Sequence, residues 1–320
     1  MAARFGVFVP QGWRQDLNDI ADPAEAFEAM VRVAKQADEG SWDSIWVYDH
    51  FHTIPEPSQN VTFECWTSSA ALARETTRVN VGQMVGCNGY RQPSLYAKTA
   101  STVDAMSHGR LYAGIGAGWY EHEWKAYGYE WTDIPPRMKA FREAVEIVHA
   151  MWTEDAPTYD GEHYRIDEPI NLPRSAAPGR KIPLWIGGGG EKVTLKLVAQ
   201  YGDACNIGAG SPRVVREKLD VLRRHCDRVG RDIDDITIST SINAFPMADD
   251  GGFEQASAKA RGSRWSADEW REIMTLGAEQ IRSRTEAVLE AGADYVIYYV
   301  PGLAYDDELL PAMEQIIAGL

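Results

Sequence analysis

Eight short apolar runs, rich in β-branched and aromatic residues, recur along the 320-residue chain, and a stretch of helical period comes after each one. They are Phe5–Pro10, Ser44–Val47, Val79–Val85, Arg110–Ile115, Ile182–Ile186, Ala204–Ile207, Ile236–Thr240 and Tyr295–Val300. Short continuous apolar strands alternating with helices imply a parallel sheet covered on both faces. Eight such units in this length predict an α/β fold, a (β/α)8 TIM barrel built as a single domain over 1–320. A doubly wound open sheet is the alternative, because periodicity does not show closure. Among the helices, one opens on Asp22-Pro23 and repeats Phe27, Met30, Val31 and Ala34 along a face. Another, Arg137–Trp152, carries Phe141, Val145, Val148 and Trp152 on one stripe. A helix near Ala267–Ala291 is expected to break near Gly277. Two stretches interrupt the rhythm, 153–181 and 243–266, and read as insertions that form walls or a lid over the barrel mouth.

A hydrophobic share of 44% and 11 Trp supply a substantial core. The net charge of −15 argues against nucleic-acid binding, which needs a basic footprint, but leaves room for an anionic small molecule. There is no apolar span of ~18 residues and no signal-peptide pattern, so neither membrane nor export is expected. Cys65, Cys87, Cys205 and Cys226 lie far apart and read as reduced thiols of a cytoplasmic protein. His52, His122 and His163 have no partners at metal-ligand spacing, so no metal site is expected. There is also no G-x-S-x-G elbow.

In a (β/α)8 barrel the active site lies at the C-terminal ends of the strands, so the residues after each strand are the candidates. Asp49 and His50 come after the second strand. Gly86, Cys87, Asn88 and Tyr90 come after the third. The fourth opens into Gly114, Gly116 and Gly118, then Trp119 and His122. Glycine at alternating positions lets a ligand or another backbone approach closely. The spacing is G-x-G-x-G, which is neither the dinucleotide fingerprint nor a P-loop. Gly187–Gly190 comes after the fifth strand with Lys192 beside it, a plausible phosphate cradle or else a flexible connector. His50 is the candidate for proton chemistry, with Asp49 able to support its charge. The alternative is a capping Asp and a surface His.

The segments IWVYDHFHT, VGQMVGCNGYRQPSLYAKTASTVDAMSHGR, GIGAGWYEHEWKAYGY and IPLWIGGGGEKVTLK together resemble the bacterial luciferase-like superfamily. Within it they are most similar to the actinobacterial coenzyme F420-dependent oxidoreductases. The resemblance runs from Phe5 to about Ala209 and continues more loosely beyond. It implies that Asp49 contacts the cofactor and that His50 is the proton donor. It places a non-proline cis peptide at Met84–Val85, behind the cofactor ring. Cys87 or Asn88 would hydrogen-bond that ring, and Ala117, Gly118 and His122 would be further cofactor contacts. Gly189, Gly190, Lys192 and Val193 would hold the cofactor phosphate. Trp119 stands where the sugar-phosphate dehydrogenases of the superfamily have a catalytic Glu, and Gly210 falls near a substrate-gripping Lys. Both departures argue against a sugar-phosphate substrate, and Trp119 would instead wall the substrate pocket.

The function implied is hydride transfer between coenzyme F420 and a small organic acceptor such as an enone, imine or quinone. The alternatives are an FMN-dependent monooxygenase and a non-catalytic F420-binding protein. Arg213, Arg216 and Lys218 could meet an anionic cofactor tail, or could simply form a solvated helix face. Relatives of this kind suggest a homodimer.

Overall fold

The computed structural model describes residues 2–247, 250–261 and 266–320. Its central sheet has eight principal strands: β1 (Arg4–Phe8), β2 (Ser44–Val47), β3 (Asn80–Gln83), β4 (Leu111–Gly116), β5 (Leu184–Gly187), β6 (Ala204–Asn206), β7 (Thr237–Phe245) and β8 (Tyr295–Tyr299). Every neighbouring pair is parallel, and β7 pairs both with β6 and with β8, which in turn pairs with β1. The sheet therefore closes on itself, and the expected (β/α)8 barrel is the fold.

The helices are α1 (Pro23–Glu39), α2 (Cys65–Glu75), α3 (Pro93–Met106), α4 (Glu121–Ala126), α5 (Ile134–Thr153), α6 (Thr194–Tyr201), α7 (Pro212–Val229), α8 (Asp250–Arg261), α9 (Ala267–Ile273), α10 (Gly277–Glu290) and α11 (Leu309–Ile317). Local chemistry sets their ends. Asp22 caps α1 by accepting from the Ala24 N–H at 2.7 Å, with Pro23 in the first turn. Gly230 closes α7 in the left-handed region, φ +69°.

Strands β2 and β8 are buried along their whole length, as strands between a barrel interior and a helical jacket must be. Aromatic rings fill the interior. Trp46 meets Trp185 edge-on at 4.7 Å, and Trp185 meets Tyr295 at 5.2 Å. A Cβ at Gly82 would lie 2.4 Å from the Trp46 ring, so glycine on β3 is what admits that side chain.

One boundary differs from expectation. β7 continues past Thr240 to Phe245, pairing with β8 as far as Asn243, so 243–245 are strand rather than insertion. Its alternating Ser239, Ser241 and Asn243 carry the strand onward without an apolar run. Of the rest of 243–266, α8 is described, whereas 248–249 and 262–265 lie outside the described residues. The helix near 267–291 is broken near Gly277 as expected, and the break holds a two-residue strand, Thr275–Leu276, that pairs with the end of β7.

No residue of the 153–181 insertion lines the mouth cavity. The insertion leaves α5 at the end from which the chain returns to the start of β5. It forms a small hairpin, Thr158–Asp160 with Arg165–Asp167, and lies along the outside of α3 and α5. The Glu143 carboxylate accepts the N–H groups of Glu162, His163 and Tyr164. Ser101 donates to the Arg174 carbonyl at 2.9 Å, and Asp104 pairs with Arg180. This strap approaches the mouth at Tyr164, whose hydroxyl accepts from Asn88 Nδ2 at 3.2 Å.

Candidate active site

A cavity of about 360 Å³ opens at the C-terminal ends of the strands. The β2 strand stops at Val47, and Gln11 pins the next residue: its amide donates to the Tyr48 carbonyl at 2.8 Å and accepts the Tyr48 N–H at 2.7 Å. With the strand ended, both Asp49 and His50 reach the cavity wall, but they face different partners.

Asp49 is buried beneath the wall. Its carboxylate is held bidentately by Arg91, at 2.5 and 3.0 Å, and accepts the Cys87 N–H at 2.7 Å. Burial pushes its pKa up, against the pull of the Arg91 guanidinium and the Cys87 N–H. Arg91 in turn reaches Glu64 at 2.5 Å. Asp49 therefore ties the loop after β2 to the loop after β3, and it does not support His50 as the sequence suggested.

The partner of His50 is Glu123, on α4. His50 Nδ1 lies 2.8 Å from Glu123 Oε2, which also accepts from the Tyr90 hydroxyl at 2.7 Å. Oε1 accepts the backbone N–H groups of Phe51 and His52 at 2.8 and 2.7 Å. Burial of Glu123 opposes ionisation, but the hydrogen bonds from His50, His52 and Tyr90 outweigh it and hold the carboxyl below the usual range. The His50 ring is stacked on Trp13, with centroids 4.3 Å apart, and meets Trp119 edge-on at 5.6 Å.

Met84 and Val85, joined by a cis peptide as expected, also line the cavity. The glycines beside them meet the second of the two expected tasks, close approach by the chain itself. A Cβ at Gly114 would lie 1.8 Å from the Gln83 carbonyl, one at Gly116 2.5 Å from Val85, and one at Gly187 2.7 Å from Val85. They clear space for the chain's own bulge, and Gly116 and Gly187 also border the cavity. At Gly118, φ is +79° and a Cβ would strike Cys87 and Trp124, so that glycine too serves internal packing.

Of the predicted site residues, Asp49, His50, Met84, Val85, Cys87, Ala117, Gly118 and Trp119 line the one cavity. Burial pushes the Cys87 thiol pKa up, so it stays protonated. Asn88 is buried just behind, with its Oδ1 unpartnered. His122 does not line the cavity: it is exposed on α4, its Nδ1 3.1 Å from His52 Nδ1. The turn before α6 contributes Gly187, Gly188 and Thr194, while Gly189, Gly190, Lys192 and Val193 continue it outside the cavity lining. Lys192 is exposed. The cation packed against the turn is Lys218, within 3.4 Å of where a Gly189 Cβ would stand and paired with Glu191 at 2.8 Å. Arg213 pairs with Glu217 at 2.6 Å.

Sequence reasoning alone does not find Trp13, Tyr48, Arg91, Glu123, Thr194 and Asn206. Trp13 lies in the loop after β1, a strand end with no titratable cluster to mark it. No Lys or Arg lines the cavity among the described residues. A second cavity, of about 770 Å³, lies between the end of α5 and the strap, away from all these groups. The cations around it are paired with Asp155, Asp104 and Asp203.

The sequence pattern of the luciferase-like monooxygenases matches residues 3–294. The chain belongs to that family. Among the relatives of this luciferase-like chain is an F420-dependent glucose-6-phosphate dehydrogenase of Amycolatopsis mediterranei, 25% identical over 303 residues, covering 85% of this chain and 88% of that one. The fold is shared with an F420-dependent secondary alcohol dehydrogenase solved with an F420–acetone adduct, at a TM-score of 0.78, 22% identity and coverage of 98% and 99%. It is shared equally with the monooxygenase RslO1 of Streptomyces bottropensis, at a TM-score of 0.79, 19% identity and 98% coverage of both chains. No helix among the described residues is long and apolar enough to cross a membrane.

Proposed function

We propose that this luciferase-like chain is a coenzyme F420-dependent oxidoreductase that reduces an uncharged organic acceptor, an enone, imine or quinone, in the cytoplasm. The observation that carries the reading is the cavity itself. His50, the Met84–Val85 bulge and Trp119 share one mouth with the glycine turn before α6. The residues present fit the cofactor. Behind the cavity wall, Asn88 Oδ1 is a buried acceptor without a partner among the described residues. Gly188, at φ +112°, turns the chain so that the run 189–193 presents backbone N–H groups that find no acceptor among the described residues. Lys218 stands beside that run.

When bound, the deazaflavin supplies a hydride from its ring carbon. The chain's own part is to orient, to exclude water and to move a proton at His50 Nε2. Trp13 and Trp119 form an aromatic slot around the His50 ring. Among the described residues the lining has no Lys or Arg, which supports an uncharged acceptor over a sugar phosphate.

The test is titration of the protein with F420 and with FMN, then turnover of reduced F420 against a panel of enones, imines, quinones and glucose 6-phosphate analogues. F420 binding with enone or quinone reduction supports the reading. Tight FMN binding without affinity for F420 sinks it in favour of a flavin monooxygenase. F420 binding without turnover on any acceptor would leave a cofactor-binding protein.

A further inference from the structure

We propose that Glu123 is the positioning residue of the site, fixing the proton of His50 on Nδ1 so that Nε2 alone faces the cavity for proton transfer. The inference rests on the reading of His50 as the proton donor.

An ionised carboxylate accepts through about four lone-pair sites and has nothing to donate. All four at Glu123 are occupied: Phe51 N–H and His52 N–H at Oε1, Tyr90 O–H and His50 Nδ1 at Oε2. The backbone amides and the tyrosine can only act as donors toward this carboxylate. His50 Nδ1 must therefore donate as well, because a bare ring nitrogen 2.8 Å from a carboxylate oxygen would set two lone pairs against each other. That assigns the tautomer. No protein group among the described residues bonds to Nε2, and His50 lines the cavity.

The remaining groups around the ring leave this assignment alone. Trp13 covers one face, and Trp119 and Tyr120 approach edge-on. Asp49, next in sequence, is occupied by Arg91 and the Cys87 N–H. In the doubly protonated ring Nε2 gives its proton to the substrate heteroatom, leaving the neutral ring with its proton on Nδ1, and Nε2 is reprotonated from solvent. Glu123 keeps its charge throughout and touches no reacting atom. Its effect on the reaction is exerted through His50.

Two measurements test this. Nitrogen-15 NMR of the histidine side chains in the cofactor-free protein, with His50→Asn to assign the signals, reads the tautomer directly. A proton on Nδ1 of His50 at every pH, with titration confined to Nε2, is expected; a neutral ring protonated on Nε2 overturns the proposal. The second is a double-mutant cycle on kcat for oxidation of reduced F420 by the best acceptor. His50→Asn is expected to slow turnover ~10²-fold, Glu123→Gln ~10-fold, and the double variant no more than His50→Asn alone. F420 affinity should stay within about twofold in Glu123→Gln. A double variant slower by the product of the two effects overturns the proposal, since Glu123 would then act independently of His50. If His50→Asn turns over normally, the reading of His50 fails, and the tautomer still decides where Glu123 holds the proton. If Glu123→Gln does not fold, the NMR of the unsubstituted protein decides alone.

Discussion

Trp13 lies flat on His50, with ring centroids 4.3 Å apart and planes within 2° of parallel. One ring comes from the loop after β1 and the other from the end of β2, and both border the cavity. The stack covers one face of the imidazole and leaves its edges to Glu123 and to the cavity.

Replacing Trp13 tests the role of this face. Aromatic pairs contribute about 0.5–1.5 kcal/mol beyond simple burial, so Trp13→Leu is expected to cost ~10-fold in kcat/KM and Trp13→Phe only ~2-fold. Steady-state kinetics with one acceptor settles it. Equal losses in both variants would mean that bulk rather than the aromatic face matters.

Trp119 is 55% exposed although it borders the cavity, which suits a side chain that completes its surface against a bound molecule. Trp119→Ala should raise KM for flat acceptors ~10-fold while leaving the F420 dissociation constant within about twofold. A change confined to F420 binding would assign Trp119 to the cofactor instead.

Arg91 and Asp49 form a buried pair whose halves depend on each other. Arg91→Met strands a buried carboxylate and should destabilise the fold by ~3–5 kcal/mol, whereas Arg91→Met with Asp49→Asn should recover much of that. Urea unfolding of the two variants is the measurement. A double variant no more stable than the single one would show that the damage is steric.

Gly116 and Gly114 make a sharper pair. A Cβ at Gly116 meets the Val85 side chain at 2.5 Å, and one at Gly114 meets the Gln83 backbone carbonyl at 1.8 Å. Gly116→Ala should cost ~1–3 kcal/mol and be relieved by Val85→Ala; Gly114→Ala should not be relieved. Thermal denaturation of the single and paired variants distinguishes side-chain from backbone obstruction.

Asp16, in the same loop as Trp13, has its carboxyl pushed up to about 6 by burial, against the Gly12 N–H and the charge of Arg14. A folded pKa above the ordinary 3.8 means that ionisation costs stability as pH rises from about 3.8 through about 6. Asp16→Asn can still accept the Gly12 N–H, now at 2.7 Å from Asp16 Oδ1, but does not titrate. Its melting temperature relative to the unsubstituted protein should therefore climb across that window and level off above it. A constant difference would show that Asp16 ionises freely in the folded chain.

The barrel was legible because its strands are buried on both faces, so each reads as an apolar run. The exception is the end of β7, where Ser239, Ser241 and Asn243 alternate with apolar residues and imitate a turn. Asp49, His50 and Cys87 were legible by position, as residues at strand ends, whereas Val85 came only from the family resemblance. Glu123 was not legible. Its partners lie at 50, 51, 52 and 90, and nothing local marks it apart from His122, one step around the same short helix but facing solvent. The glycines show the other gap: sequence signals a close approach there, and only the fold says that Val85 and Gln83 make it.

The four bonds at Glu123 have a mechanical side as well. They join α4, only six residues long, to the loop after β2 and the loop after β3 through a single carboxylate. Those three segments form one stiff rim, and a ligand cannot push His50 aside without unseating all of them. Trp119, on the same edge of the mouth, takes no part in those four bonds: it stacks on Tyr120 and is only partly covered, so adaptation to differently shaped acceptors falls to its side chain. One edge of the opening thus carries a clamped ring and an unclamped one side by side.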